Sequence, residues 1–201
     1  MKASFLNKNK NIYVEEIDIP TLDADQVLIR VESVGICGSD VHYYKHGAIG
    51  PYVVEKPLIL GHELSGVITD VGKDIAKNRI GARVAVEPQR ACKVCKQCKA
   101  GRYNLCPEIE FYATPPIDGA FCEFVKIQSS FAYDIPDNIS FDAAALIEPM
   151  SVCIWAAQKA GIESGSTVLI AGAGPIGVIM AQVAKAFGAK DVVVTDVIDK
   201  R

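Results

Sequence analysis

Nowhere in its 201 residues does the sequence hold the roughly 20 consecutive apolar residues of a membrane span, and residues 1–10 contain no apolar stretch of signal-peptide length. It therefore predicts a cytosolic protein that does not engage a membrane. An excess of one charge is missing too. The 21 basic residues face 24 acidic ones, with no basic block and no aromatic-interleaved stripe, so nucleic acid and acidic lipid surfaces are excluded as partners. Half of the chain is hydrophobic, enough for a substantial core, and a small molecule is the expected ligand.

What the sequence does hold is cysteine in one place. Four of the seven cysteines, Cys92, Cys95, Cys98 and Cys106, follow the spacing C-x2-C-x2-C-x7-C. Two residues between cysteines let both sulfurs reach one tetrahedral centre, and a return turn at Gly101 brings round the fourth. In a reducing compartment this crowding favours a metal over disulfides. A closed all-thiolate shell makes a structural zinc site; buried free thiols or an iron–sulfur cluster are the competing explanations.

Most of the first 130 residues are organised as short strands. Segments 12–14, 27–31, 66–72, 81–86 and 119–127 are rich in β-branched residues and punctuated by glycine, which suggests a small β-barrel or sandwich. A short helix is expected from Ser39, and residues 45–52 are expected to form a surface loop lining an entrance to the Cys37–Glu63 region. The pattern changes between 135 and 150. Ser140 caps an alanine-rich run, and helical apolar spacing continues through Val152, Trp155 and Ala156. A strand at 167–171, a helix at about 176–187 and a strand at 192–195 then form one βαβ unit.

Inside that unit, Gly172-Ala173-Gly174-Pro175-Ile176-Gly177 follows a strand and opens a helix, and Asp196 ends the next strand, the context of a dinucleotide site. Gly172 makes the tight turn, Gly174 lets the backbone approach a pyrophosphate, and Gly177 lets helix and strand pack closely. Asp196 would accept hydrogen bonds from a ribose 2′-hydroxyl and repel a 2′-phosphate, which favours NAD over NADP. An ordinary glycine-rich turn is the alternative.

Cys37, His62 and Glu63 carry a thiolate, an imidazole and a carboxylate, the donor types of a catalytic zinc with an open position. Asp40 is expected to orient the His62 imidazole. Taken singly, a buried cysteine and a satisfied polar histidine explain these residues better than a metal does.

Together with Gly35-Ile36-Cys37-Gly38-Ser39-Asp40-Val41-His42-Tyr43, Pro57-Leu58-Ile59-Leu60-Gly61-His62-Glu63-Leu64-Ser65-Gly66, Tyr112-Ala113-Thr114-Pro115-Pro116-Ile117-Asp118-Gly119 and Ile147-Glu148-Pro149-Met150-Ser151, these motifs resemble the zinc-dependent medium-chain alcohol dehydrogenases, and within them the sorbitol (polyol) branch. The resemblance covers nearly the whole chain. It implies α/β plus all-β architecture: a GroES-like β-barrel catalytic domain over 1–145, then the start of a Rossmann NAD-binding domain over 146–201.

The resemblance also implies roles. Cys37, His62 and Glu63 would hold a catalytic zinc, and Cys92, Cys95, Cys98 and Cys106 a structural one. Glu148 would bind that catalytic zinc or its water, Ser39 and His42 would relay a proton, and Tyr43 and Phe111 would line the substrate pocket. Pro175, Ile176 and Arg201 would join Gly172, Gly174, Gly177 and Asp196 at the cofactor, while Cys122 and Cys153 are packing. The implied reaction is NAD-dependent oxidation of a polyol to a ketose by a homo-oligomer. Oxidation of another secondary alcohol such as threonine or butanediol, or a non-enzymatic zinc module, are the alternatives. Relatives continue beyond the point where this chain stops, so it is expected to be a fragment or truncated product that keeps zinc without turnover.

Overall fold

Val27 and Ile29, at alternate positions of a ten-residue strand, are fully buried while Arg30 next to them faces water, and a similar alternation recurs at Val125 and Ile127 about half-buried Lys126. Strands with one apolar face must lay it against something, and here several lay it into one core. The computed structural model describes residues 1–200, so Arg201 lies outside the described residues. The chain divides into two compact units, Met1–Ala145 and a second that begins at Leu146.

The first unit contains β1 (Lys2–Leu6), β2 (Ile12–Glu16), β3 (Gln26–Gly35), α1 (Gly38–His46), β4 (Ala48–Ile49), β5 (Tyr52–Val53), β6 (Leu58–Ile59), β7 (Glu63–Val71), β8 (Arg83–Val86), β9 (Gln89–Arg90), α2 (Lys96–Lys99), β10 (Glu110–Phe111), β11 (Phe124–Gln128), β12 (Ala132–Asp134) and α3 (Phe141–Ala145). Five strands pair antiparallel in the order β11-β3-β7-β8-β12. Their inward side chains, among them Ile29 and its cross-strand partner Ile68, make the main core, each contributing roughly 1.5–3 kcal/mol by burial. A smaller sheet, β2-β1-β6, is tied to the approach to β11 by a hydrogen bond from the Ser4 N–H to the Phe121 carbonyl, 2.9 Å.

Helix α1 begins earlier than the sequence predicts: its N-cap is Cys37 rather than Ser39. The reason is Asp40 at the third helical position, whose Oδ2 accepts the Cys37 N–H at 2.9 Å. Asp40 and Tyr43 form the buried face of the helix, and Gly47, with φ of 77°, ends it. Residues 45–52 are therefore not one loop. Lys45 and His46 complete α1, and β4 and β5 pair as a short hairpin.

Helix α3 is fastened over β3 and β7. Ser33 Oγ bonds Asp142 Oδ1 at 2.7 Å, and Ser65 Oγ donates to the Phe141 carbonyl at 2.6 Å. Ser140 caps as its sequence position suggests, Oγ accepting the Ala143 N–H at 3.2 Å.

The second unit comprises α4 (Ile147–Lys159), β13 (Thr167–Ala171), α5 (Pro175–Ala186) and β14 (Asp191–Thr195). The two strands pair parallel from Thr167↔Asp191 to Ala171↔Thr195, with α5 as the crossover, and α4 packs on α5 through Cys153, Ala157 and Val183. Among the described residues no helix is long and apolar enough to cross a membrane.

Candidate metal centres and dinucleotide turn

Cys37 follows the end of β3, and Glu63 opens β7 directly across the ladder from Gly35, with His62 just before it. Cys37 Sγ, a His62 ring nitrogen and a Glu63 carboxylate oxygen lie within 4.8 Å of one another. The room for that carboxylate comes from Gly35: a Cβ there would overlap Glu63 Oε2.

His62 and Glu63 are each 7 % exposed, and His62 Nδ1 is buried with no hydrogen-bond partner. None of the ion pairs among the described residues involves Glu63. Burial pushes the Cys37 thiol above its ordinary pKa; hydrogen bonds from Ser39 oppose this, and the Glu63 charge adds to it. A half-buried thiol, a buried carboxylate and an orphaned ring nitrogen are costly together unless a cation joins them. Zinc answers all three, because thiolate, imidazole and carboxylate form one of its ordinary donor sets with a coordination position left over. The residues present fit the ion.

Asp40 does not orient the imidazole as expected. Its Oδ2 takes the Cys37 N–H and its Oδ1 takes the Gly61 N–H, both at 2.9 Å, so it ties together the two backbone segments that bear the ligands. The sequence carried a signal for this, since an acid three residues after a helix start is the second half of a capping box. Gly35 was missed altogether as a member of the site.

The other predicted residues are distributed unevenly. Ser39 is half-buried and hydrogen-bonded to Cys37. The Phe111 ring lies 5.4 Å from that of His62. His42 is exposed on α1. Tyr43, expected at the substrate pocket, is 3 % exposed and sits in an apolar cluster with Leu6, Val54, Leu58, Leu60 and Ala113. Glu148 stands half-buried in the first turn of α4, in the second unit.

Cys92, Cys95, Cys98 and Cys106 also converge within 4.8 Å, with Cys92 and Cys98 sulfurs 3.9 Å apart. Zinc–sulfur bonds of about 2.3 Å at a tetrahedral angle put two sulfurs about 3.8 Å apart, so the lobe has the dimensions of a four-thiolate zinc site. Backbone N–H groups point at the sulfurs: Cys95 to Cys92 at 3.3 Å, Cys98 to Cys95 at 3.4 Å and Cys92 to Cys106 at 3.5 Å. Backbone amides help stabilise thiolate: those of Val94 and Cys95 bring Cys92 down to about 7, whereas desolvation lifts Cys98 to about 12. Lys93 Nζ bonds Asp25 Oδ2 at 2.7 Å and moors the lobe to the lead-in of β3.

In the second unit Gly172 turns with φ of 114°, Gly174 is the N-cap of α5, and Pro175 and Ile176 open the helix. Gly177 is required by close approach, because a Cβ there would overlap the Gly172 carbonyl oxygen. Asp196 reaches back from the end of β14, Oδ2 accepting the Ala173 N–H at 2.8 Å, and Oδ1 accepts the Ile198 N–H at 2.8 Å. The acid thus braces the glycine turn, and a carboxylate has further lone pairs for a sugar hydroxyl. The helix N-terminus, the glycine turn and the adjacent acid fit a dinucleotide.

Residues 23–137 match the alcohol dehydrogenase GroES-like domain. The chain is similar to sorbitol dehydrogenase of Bacillus subtilis, 51% identical over 196 residues, covering 98% of this chain and 56% of that protein. It is 47% identical over 184 residues to the probable D-xylulose reductase A of Neosartorya fischeri, covering 91% of this chain and 51% of that one. Among solved structures, an Escherichia coli alcohol dehydrogenase in complex with NADH superposes with a TM-score of 0.90 at 35% identity, covering 100% of this chain and 58% of that one. The chain thus spans about half the length of the curated relatives it matches.

Proposed function

The chain belongs to the alcohol dehydrogenase GroES-like family, and from there we propose that it serves a zinc-dependent oxidation of a secondary hydroxyl of a polyol, such as sorbitol, xylitol or L-iditol, to the ketose with NAD as acceptor. One observation carries this: the convergence of Cys37, His62 and Glu63 around a buried, unpartnered His62 Nδ1. The similarity to a sorbitol dehydrogenase and a probable D-xylulose reductase supports the polyol as substrate class.

Cys37, His62 and Glu63 would hold the catalytic ion, and the four-cysteine lobe a structural one. When bound, zinc supplies Lewis acidity that makes a substrate hydroxyl easier to deprotonate, and NAD at the glycine turn supplies the hydride acceptor. Ser39 has the hydroxyl to accept that proton and pass on its own, and His42, exposed on α1, offers an imidazole to release it to water. Phe111 gives the His62 side an apolar wall that keeps water away. Asp40 and Gly35 hold the ligand geometry without touching the substrate. The free state of all seven cysteines suits the reducing cytoplasm, and the resemblance to polyol dehydrogenases supports a homo-oligomer.

Two measurements test the proposal. Metal analysis is expected to find two zinc ions per chain, falling to one in Cys37→Ala. NAD reduction by protein containing this chain is expected with sorbitol or xylitol in preference to threonine or 2,3-butanediol. A protein that binds one zinc, or that prefers threonine, would remove the assignment.

A further inference from the structure

Two of the three histidines of the chain are His42 and His46, one helical turn apart on α1. Both are exposed, on the side of the helix away from buried Asp40 and Tyr43. Their rings are 4.5 Å apart between centroids and tilted by 45°. Neither imidazole has a hydrogen bond or ion pair with another described residue, so nothing among the described residues occupies their nitrogens.

That spacing has a chemical meaning. With metal–nitrogen bonds of about 2.0–2.1 Å and roughly 1.1 Å from nitrogen to ring centre, two imidazoles at 90° around one ion have centroids about 4.5 Å apart; the tetrahedral angle would require about 5.2 Å. The centroid separation of the pair equals that of two imidazoles at adjacent corners of a square or octahedron. We infer that His42 and His46 form a third metal site, on the surface, for a divalent transition-metal ion of square or octahedral preference, of the nickel or copper type, separate from both zinc donor sets. Holding two imidazoles on adjacent turns makes capture by the second ring intramolecular, so the pair binds far more tightly than one ring.

The site has a consequence for turnover that rests on His42 as the proton relay: an ion on its nitrogen takes it out of proton traffic. A surface ion here would act as an inhibitor whose target is the exit of the proton rather than the substrate.

The test is nickel titration of the zinc-loaded chain by calorimetry, with zinc content measured before and after. One nickel ion per chain is expected without loss of zinc, and His42→Asn and His46→Asn should each weaken binding at least about tenfold. A double variant, Tyr44→His with His46→Tyr, keeps the imidazole count but sets the rings on different faces of the helix, and should lose as much. Nickel affinity that survives these changes, nickel uptake matched by zinc release, or no saturable binding would each overturn the site. In turnover assays of protein containing this chain, nickel should inhibit the parent and spare His46→Asn; binding without inhibition would leave the metal site standing and remove the relay role of His42.

Discussion

The carboxylate of Asp40 accepts the N–H of Gly61 at 2.9 Å from one oxygen while its other oxygen accepts the N–H of Cys37. Two ligand-bearing segments, more than twenty residues apart in sequence, are thereby held by one side chain that is 3 % exposed. The spacing of the two segments is thus set through their backbones.

Asp40→Asn should show this. The amide keeps one acceptor oxygen and turns an NH2 toward an N–H donor, so one buried bond is lost and one donor stranded. A cost of about 2–3 kcal/mol is expected, with zinc affinity at the Cys37 site down about 10–100-fold. Chelator competition measures the second, and the four-cysteine zinc should stay bound as an internal control.

Gly35→Ala tests the space opposite Glu63. The added methyl overlaps a carboxylate oxygen, and overpacking of this kind costs about 1–3 kcal/mol. Circular dichroism should report an intact fold while metal analysis finds one zinc in place of two. Retention of both ions at parent affinity would show that Glu63 is not a ligand.

Cys122 gives a pH-dependent prediction away from either metal set. Burial pushes its thiol up to about 11. A raised folded pKa means that the neutral thiol is the form the fold prefers. Its stabilising contribution is complete below the unfolded value of about 8.5 and is lost as pH climbs toward the folded one. Alkylation at pH 8 should therefore leave Cys122 unmodified in the native protein, with mass-spectrometric labelling appearing only above about pH 10. Rapid labelling at pH 8 would contradict the burial.

Asp196→Ala removes both the brace on the Ala173 N–H and the acceptor proposed for the ribose. NAD affinity by calorimetry should fall at least about tenfold, and discrimination against NADP should narrow, because the repelling charge is gone. Unchanged NAD binding would confine Asp196 to a structural role.

Where sequence was informative, the signal was local. The four cysteines specify their own lobe through spacing, and the glycine turn specifies its loop through positions only glycine tolerates, Gly172 by its φ and Gly177 by close approach. The parts that escaped are relations between distant segments. Nothing near Asp40 in sequence announces Gly61 as a partner, and nothing near Gly35 announces Glu63. Tyr43, which the resemblance places at the substrate pocket, lies on the buried face of α1 with Asp40, while His42 beside it in sequence is exposed, and only the three-residue helical step separates the two environments. Strand β1 and the β4–β5 hairpin are short elements held by partners remote in sequence or by a tight turn, and their periodicity is too brief to stand out.

The pairing of Gly35 with Glu63 across β3 and β7 also bears on how the protein reaches its native state. A slip of one residue would set Val34 or Ile36 opposite the carboxylate, and either side chain would fill the space that Gly35 leaves open. If Cys37, His62 and Glu63 hold zinc as proposed, only a correctly aligned chain would capture it, and the ion would act as a proofreader of strand alignment, drawing the refolding population toward the one pairing it can bind. Refolding with zinc present should yield a larger native fraction than refolding followed by zinc, and Gly35→Ala should abolish that difference.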